Sequence, residues 1–171
     1  MTSSDDDAVQ ATLLDERRHL RRAFGAFATG VTVVTIGGGN PHGMTANSFT
    51  TVSLDPPLAL VCVDRLAVMH ARLEVASVFG VSVLAAGHEK VARYFADGDR
   101  PTGPAQFADV DWEPGQRTGV PMISGALAWF ECEVWRQYHG GDHTIFVGRV
   151  LTAERHGDDA GLLFHYGELC S

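Results

Sequence analysis

Val31-Thr32-Val33-Val34-Thr35-Ile36 is a run of β-branched residues, followed by Gly37-Gly38-Gly39-Asn40-Pro41 and then by His42-Gly43-Met44-Thr45-Ala46-Asn47-Ser48-Phe49. β-Branched side chains suit a pleated strand, and the Gly/Asn/Pro cluster suits a turn. The stretch therefore predicts a strand, a turn and a return strand with an irregular end. Upstream, Leu13, Leu20, Phe24 and Phe27 recur at steps of seven, four and three, one face of an amphipathic helix. Asp5, Asp6 and Asp7 offer its N-cap and Gly30 its C-terminal stop, with Arg17, Arg18, Arg21 and Arg22 forming a solvated face.

Downstream, short strands are expected over residues 50–54, 58–63 and 79–84. Met69, Leu73 and Ala76 mark a short helix, as do Val91, Tyr94 and Phe95. A long strand over 125–138, a Gly140-Gly141 turn and a partner over 144–151 follow, then a last strand over 162–166. Residues 97–121 hold four prolines and four glycines and are expected to be a functional excursion or mobile lid. Strands at this spacing do not form βαβ repeats. They predict an α+β fold that is mainly β, an antiparallel barrel with an N-terminal helix and short peripheral helices outside it.

With 171 residues, one domain is expected, over residues 8–171, with 1–7 as a disordered tail. Thirteen basic against 21 acidic residues give a formal charge of −8, and Lys90 is the single lysine, so a phosphate-tracking nucleic-acid surface is not expected. Cys62, Cys132 and Cys170 are odd in number and far apart, which suits reduced thiols in a cytoplasmic protein. The uncharged stretch 23–54 is broken by glycines, and its most apolar part is 14 residues, short of the roughly 18 that a membrane helix needs.

Familiar local motifs are missing. There is no Gly-x-Ser-x-Gly. His139 and His143 are separated by Gly140-Gly141, which forbids the helix that would align two metal ligands, so no metal site is expected. The triple glycine precedes a proline turn rather than a helix, so it cannot aim helix amides at a phosphate. What remains is distributed. Gly43-Met44-Thr45-Ala46-Asn47-Ser48-Phe49 offers hydroxyl, amide and main-chain groups to a flat, heteroatom-rich ring. Cys62-Val63-Asp64-Arg65 ends a buried strand, and Gly140-Gly141-Asp142-His143 places an imidazole beside a carboxylate at a turn.

In this order, together with Phe27-Ala28-Thr29-Gly30-Val31-Thr32-Val33-Val34-Thr35, Val52-Ser53-Leu54-Asp55-Pro56-Pro57-Leu58, Phe79-Gly80-Val81-Ser82-Val83-Leu84, Phe95-Ala96 and Phe146-Val147-Gly148, these residues resemble the short-chain flavin reductase family. The resemblance covers nearly the whole chain. It implies a split β-barrel that dimerises, with FMN or FAD near the subunit interface. The reaction it implies is hydride transfer from NADH or NADPH to the flavin, with reduced flavin passing by diffusion to a separate monooxygenase or halogenase.

By the same resemblance, Met44, Thr45, Ala46, Asn47 and Ser48 would meet the isoalloxazine and ribityl regions, and Cys62, Val63 and Asp64 would run along the cofactor. Ser82, Val83 and Leu84 would approach from the neighbouring strand, Phe95 would stack at the edge, and His143 would sit on the nicotinamide side as the catalytic residue. Where the family commonly carries Ser-x-Thr for the flavin phosphate, this chain has Ala67-Val68-Met69. Main-chain amides with Arg65 or His70 are expected to take over, or the flavin is held loosely. A non-catalytic flavin binder on the same barrel is the alternative, since fold does not fix function.

Overall fold

The computed structural model describes the backbone of residues 3–171 and the side chains of residues 14–171. In chain order the elements are α1 (Ser3–Gly25), β1 (Thr29–Gly30), β2 (Thr32–Ile36), β3 (His42–Ala46), β4 (Thr50–Leu54), β5 (Pro57–Asp64), α2 (Val68–Val75), β6 (Val78–Val83) and α3 (Glu89–Ala96). Then come β7 (Trp112–Pro114), β8 (Pro121–Ile123), β9 (Ala128–Gly140), β10 (His143–Arg155), β11 (Leu163–His165) and β12 (Glu168–Cys170).

Seven strands form one antiparallel sheet in the order β3-β2-β6-β9-β10-β5-β4. Its two edge strands, β3 and β4, are consecutive in the chain and joined only by residues 47–49. A flat sheet of this order would hold its edges about 29 Å apart, at roughly 4.8 Å per strand. Four residue steps reach about 14 Å at most. The sheet must therefore curl until its edges approach, and the result is the split barrel.

One apolar cluster fills the inside of the curl, with Val34, Val61, Val63, Val81, Cys132 and Phe146 from the sheet and Met69 and Leu73 from α2. A second, with Val31, Val33, Leu84, Ala92, Phe95, Phe107 and Ile123, lies on the other side of β2. Every residue of β2 is buried, which explains its uninterrupted β-branched run.

Three expectations need correction. Helix α1 stops at Gly25 rather than Gly30, because Thr29 and Gly30 pair instead with Phe164 and Leu163 across a small sheet. Tyr166 also donates its N–H to the Gly25 carbonyl, and Phe24 and Phe27 are 73% and 77% exposed rather than buried on the body. The helix begins at Ser3; the side chains of Leu13 and of Asp5, Asp6 and Asp7 lie outside the described residues.

The segment 97–121 is also not a structureless lid. It forms a 3-10 turn (Gly103–Phe107) and the β7–β8 hairpin, with Gln106 and Phe107 buried. Thr35 donates its hydroxyl to Pro121 O at 2.6 Å, tying the excursion to the outer face of β2. Finally, the chain adds β12 after Gly167, which sits at φ +86°, where the sequence suggested only one terminal strand.

Candidate active site

Strand β3 runs between two adjoining clefts, one of about 660 Å³ and one of about 420 Å³, which share Thr45 and Ala96. Both fall in the size range of small-molecule sites, roughly 300–1,000 Å³. The larger is lined by Val31, Thr45 and Asn47, by Ala92 and Arg93 of α3, and by Phe164 and Gly167–Leu169. The smaller is lined by Met44 and Thr45, by the start of α2 at Ala67 and Val68, by Phe95, and by Arg100, Pro101 and Thr102.

Local chemistry fixes these walls. Thr45 Oγ1 donates to Ala92 O at 2.6 Å and fastens β3 to α3. Gln106, fully buried, accepts from Gly43 N–H at 2.8 Å and donates to Pro41 O at 3.0 Å and Gly103 O at 3.2 Å. The excursion is thereby held against the start of β3. Arg100 donates through Nη2 to Gly43 O at 2.5 Å and to His42 Nε2 at 3.2 Å, and through Nη1 to Asp97 O. Burial, with the cations Arg100 and Arg72 nearby, lowers the His42 pKa to about 4, so the ring is neutral and free to accept.

Of the expected flavin-binding residues, Met44, Thr45, Asn47, Ala67, Val68 and Phe95 come together around these clefts. Ser48 and Cys62 meet each other: Ser48 Oγ donates to Cys62 O at 2.9 Å and accepts from Cys62 N–H at 3.1 Å. Burial raises the Cys62 pKa, so its thiol stays protonated.

The other expected contact residues lie outside the lining of the two clefts. Ala46 and Val63 are buried in the inner core. Ser82 is fully buried and its Oγ accepts from Ile123 N–H at 3.0 Å, while Leu84 belongs to the second core; neither is among the residues lining the two clefts. Val83 is half-buried and pairs with Thr32 and Ala128. Asp64 is exposed and accepts from Leu66 N–H at 2.8 Å.

His143 stands directly across from Asp64 where β5 ends and β10 begins, outside the residues lining either cleft. Its Nδ1 lies 2.8 Å from Asp142 Oδ1. That hydrogen bond, with the imidazole and Arg17 nearby, holds the Asp142 carboxyl below the usual carboxylate range. Neither substitute foreseen for the missing hydroxyls reaches the smaller cleft. Arg65 is exposed, and the His70 ring is buried, with Nε2 2.8 Å from Thr144 Oγ1 and Nδ1 3.7 Å from Glu74. Arg100, which the sequence reading passed over, is the cation in that cleft.

The fold and site together define a split barrel with a polar strand between two adjoining clefts and a guanidinium in one of them. Residues 24–171 match the model of the flavin reductase like domain, and the chain belongs to that family. It is 57% identical over 162 residues to an NADH-dependent FAD reductase of Streptomyces globisporus, covering 94% of this chain and 89% of that protein.

Among solved structures, it resembles the Streptomyces globisporus NADH:FAD oxidoreductase in complex with NAD and FAD fragments. The TM-score is 0.87 at 55% identity, over 92% of this chain and 93% of that one. The flavin reductase component of a bacterial two-component tryptophan halogenase gives 0.87 at 58% identity, over 90% and 96% of the two chains.

Proposed function

We propose that this protein is an NADH-dependent flavin reductase that supplies reduced FAD or FMN to a separate flavin-dependent oxygenase or halogenase. The observation that carries the reading is the pair of adjoining clefts on β3, seen in a chain with this likeness to a reductase holding NAD and FAD fragments. A flavin, when bound, supplies the electron-accepting ring for the hydride of the dinucleotide. The protein's task is alignment, with reacting atoms about 3–3.5 Å apart.

The residues present fit such a ligand. Met44, Thr45 and Asn47 bring main-chain and short polar groups to the cleft walls, and Arg100 brings a cation whose Nε is buried without a partner. His143, held by Asp142, is assigned to orienting the nicotinamide rather than to abstracting a proton. NADH is favoured over NADPH because the relative at 57% identity is an NADH-dependent FAD reductase.

A homodimer is part of the reading. Edge strand β4 exposes Val52 and Leu54, Leu66 and Val68 are exposed further along the chain, α1 exposes Leu20 and Phe24, and Phe27 is exposed just after it. Apolar surface of this extent suits a second copy of the chain. Among the described residues no helix is long and apolar enough to cross a membrane, and the three cysteines are free, which suits a cytoplasmic site. Initial rates with each pairing of FMN or FAD with NADH or NADPH test the assignment. NADH turnover of added flavin is expected, and flavin binding without NADH oxidation would make the protein a flavin carrier instead.

A further inference from the structure

The following rests on the flavin reading and concerns how the nucleotide's phosphate is held. At the start of α2, Ala67 is the N-cap and makes no side-chain hydrogen bond, and Met69 is fully buried in the inner core. Both line the smaller cleft, but neither side chain has a hydrogen-bond donor to offer an anion. Across the same cleft stands Arg100, and its environment is unusual for a cation. Its three acceptors, Gly43 O, His42 Nε2 and Asp97 O, are all uncharged, and its Nε is buried with no partner. None of the ion pairs among the described residues includes it.

Arg100 is partly buried, and although the Asp97 carboxylate is near enough to act on it, no salt bridge neutralises its guanidinium. It is held by uncharged acceptors and lines the same cleft as the N-terminal turn of α2, where helix dipoles favour negative charge. An arginine fork presented this way is suited to phosphate oxygens.

We infer that Arg100 anchors the phosphate next to the ribityl chain, the group shared by FMN and FAD, in the cleft between Ala67 and Thr102. One guanidinium, positioned by Gly43 O and His42, takes over from two hydroxyls. Riboflavin has the same ring and ribityl chain without the phosphate, and so isolates this contact.

The test is equilibrium binding of riboflavin, FMN and FAD, read by quenching of flavin fluorescence, for the wild-type protein and for Arg100→Gln and Arg100→Lys. The wild type is expected to prefer FMN to riboflavin by about tenfold or more. Arg100→Gln should weaken FMN and FAD binding by roughly 10- to 100-fold, the range expected for a lost charge-assisted hydrogen bond, while riboflavin binding changes less than about threefold. Arg100→Lys keeps the charge but loses the fork, and should give an intermediate FMN/riboflavin ratio even if the Gln variant folds poorly.

If both variants lose riboflavin and FMN by the same factor, Arg100 only props up the 97–103 loop and the inference fails. It fails equally if the FMN/riboflavin ratio stays at the wild-type value. A wild-type protein that binds none of the three flavins would contradict the flavin reading itself.

Discussion

A Cβ added to Gly43 would lie 2.5 Å from Cε1 of Phe95, so the aromatic floor of the smaller cleft packs against β3 only because residue 43 has no side chain. Phe95 is fully buried and its ring also meets Phe107, 5.5 Å centroid to centroid, so it has little room to retreat. Gly43→Ala should therefore cost about 1–3 kcal/mol of stability, as overpacking does. It should weaken flavin binding in parallel. Urea denaturation and a flavin titration check both, and the double variant Gly43→Ala/Phe95→Leu should recover part of the lost stability.

Gln106 is fully buried and uses its side-chain oxygen and nitrogen on Gly43, Pro41 and Gly103. Gln106→Leu would strand those main-chain groups, at about 1–3 kcal/mol for each one left unsatisfied. A drop in the urea midpoint is expected, with faster proteolysis within residues 97–107 than in the wild type.

His42 supplies a pH dependence whose sign follows from its folded-state pKa of about 4, below the ordinary histidine value of 6.5 that applies to the unfolded chain. Between those values the unfolded chain binds the proton and the folded chain does not. His42 thus contributes stability fully above about pH 6.5, and this is lost as the pH falls toward 4. In His42→Gln that part of the acid limb should be missing. Thermal melts of both proteins from pH 8 to 4 would show the curves converging as the pH falls, whereas parallel curves would contradict the assignment.

Ser82 and His143 separate two kinds of site residue. Ser82 accepts from Ile123 N–H within the barrel wall, so Ser82→Ala should lower stability by about 1 kcal/mol and leave flavin affinity within about twofold. His143→Ala, at an exposed strand end, should leave stability unchanged and raise the KM for NADH with flavin affinity unaltered. An unchanged kcat/KM for NADH would remove His143 from the site.

Much of the barrel was legible because local signals and tertiary structure agree. The β-branched run of β2, the turn at Gly37-Gly38-Gly39 and the Gly140-Gly141 hairpin each carry their own geometry. The end of α1 was not legible: Gly30 looked like a helix stop, yet Thr29 and Gly30 are claimed by strand pairing with Phe164 and Leu163, more than a hundred residues away. Alternation on β6 was visible, but its long-range partners were not: Ser82 is taken up by Ile123 N–H and Leu84 by the second core.

Arg100 escaped for a related reason. It lies in the Gly- and Pro-rich excursion, and its contact with Gly43 spans 57 residues of chain. The available signal was a lone arginine between Asp99 and Pro101 just after α3, in a chain already lacking its phosphate hydroxyls.

The most direct measurement of the central claim is anaerobic mixing of the purified protein and FAD with NADH, followed by flavin absorbance. The account predicts saturable bleaching that requires the protein and is faster with NADH than with NADPH. Quenching of flavin fluorescence without bleaching by either dinucleotide would contradict it.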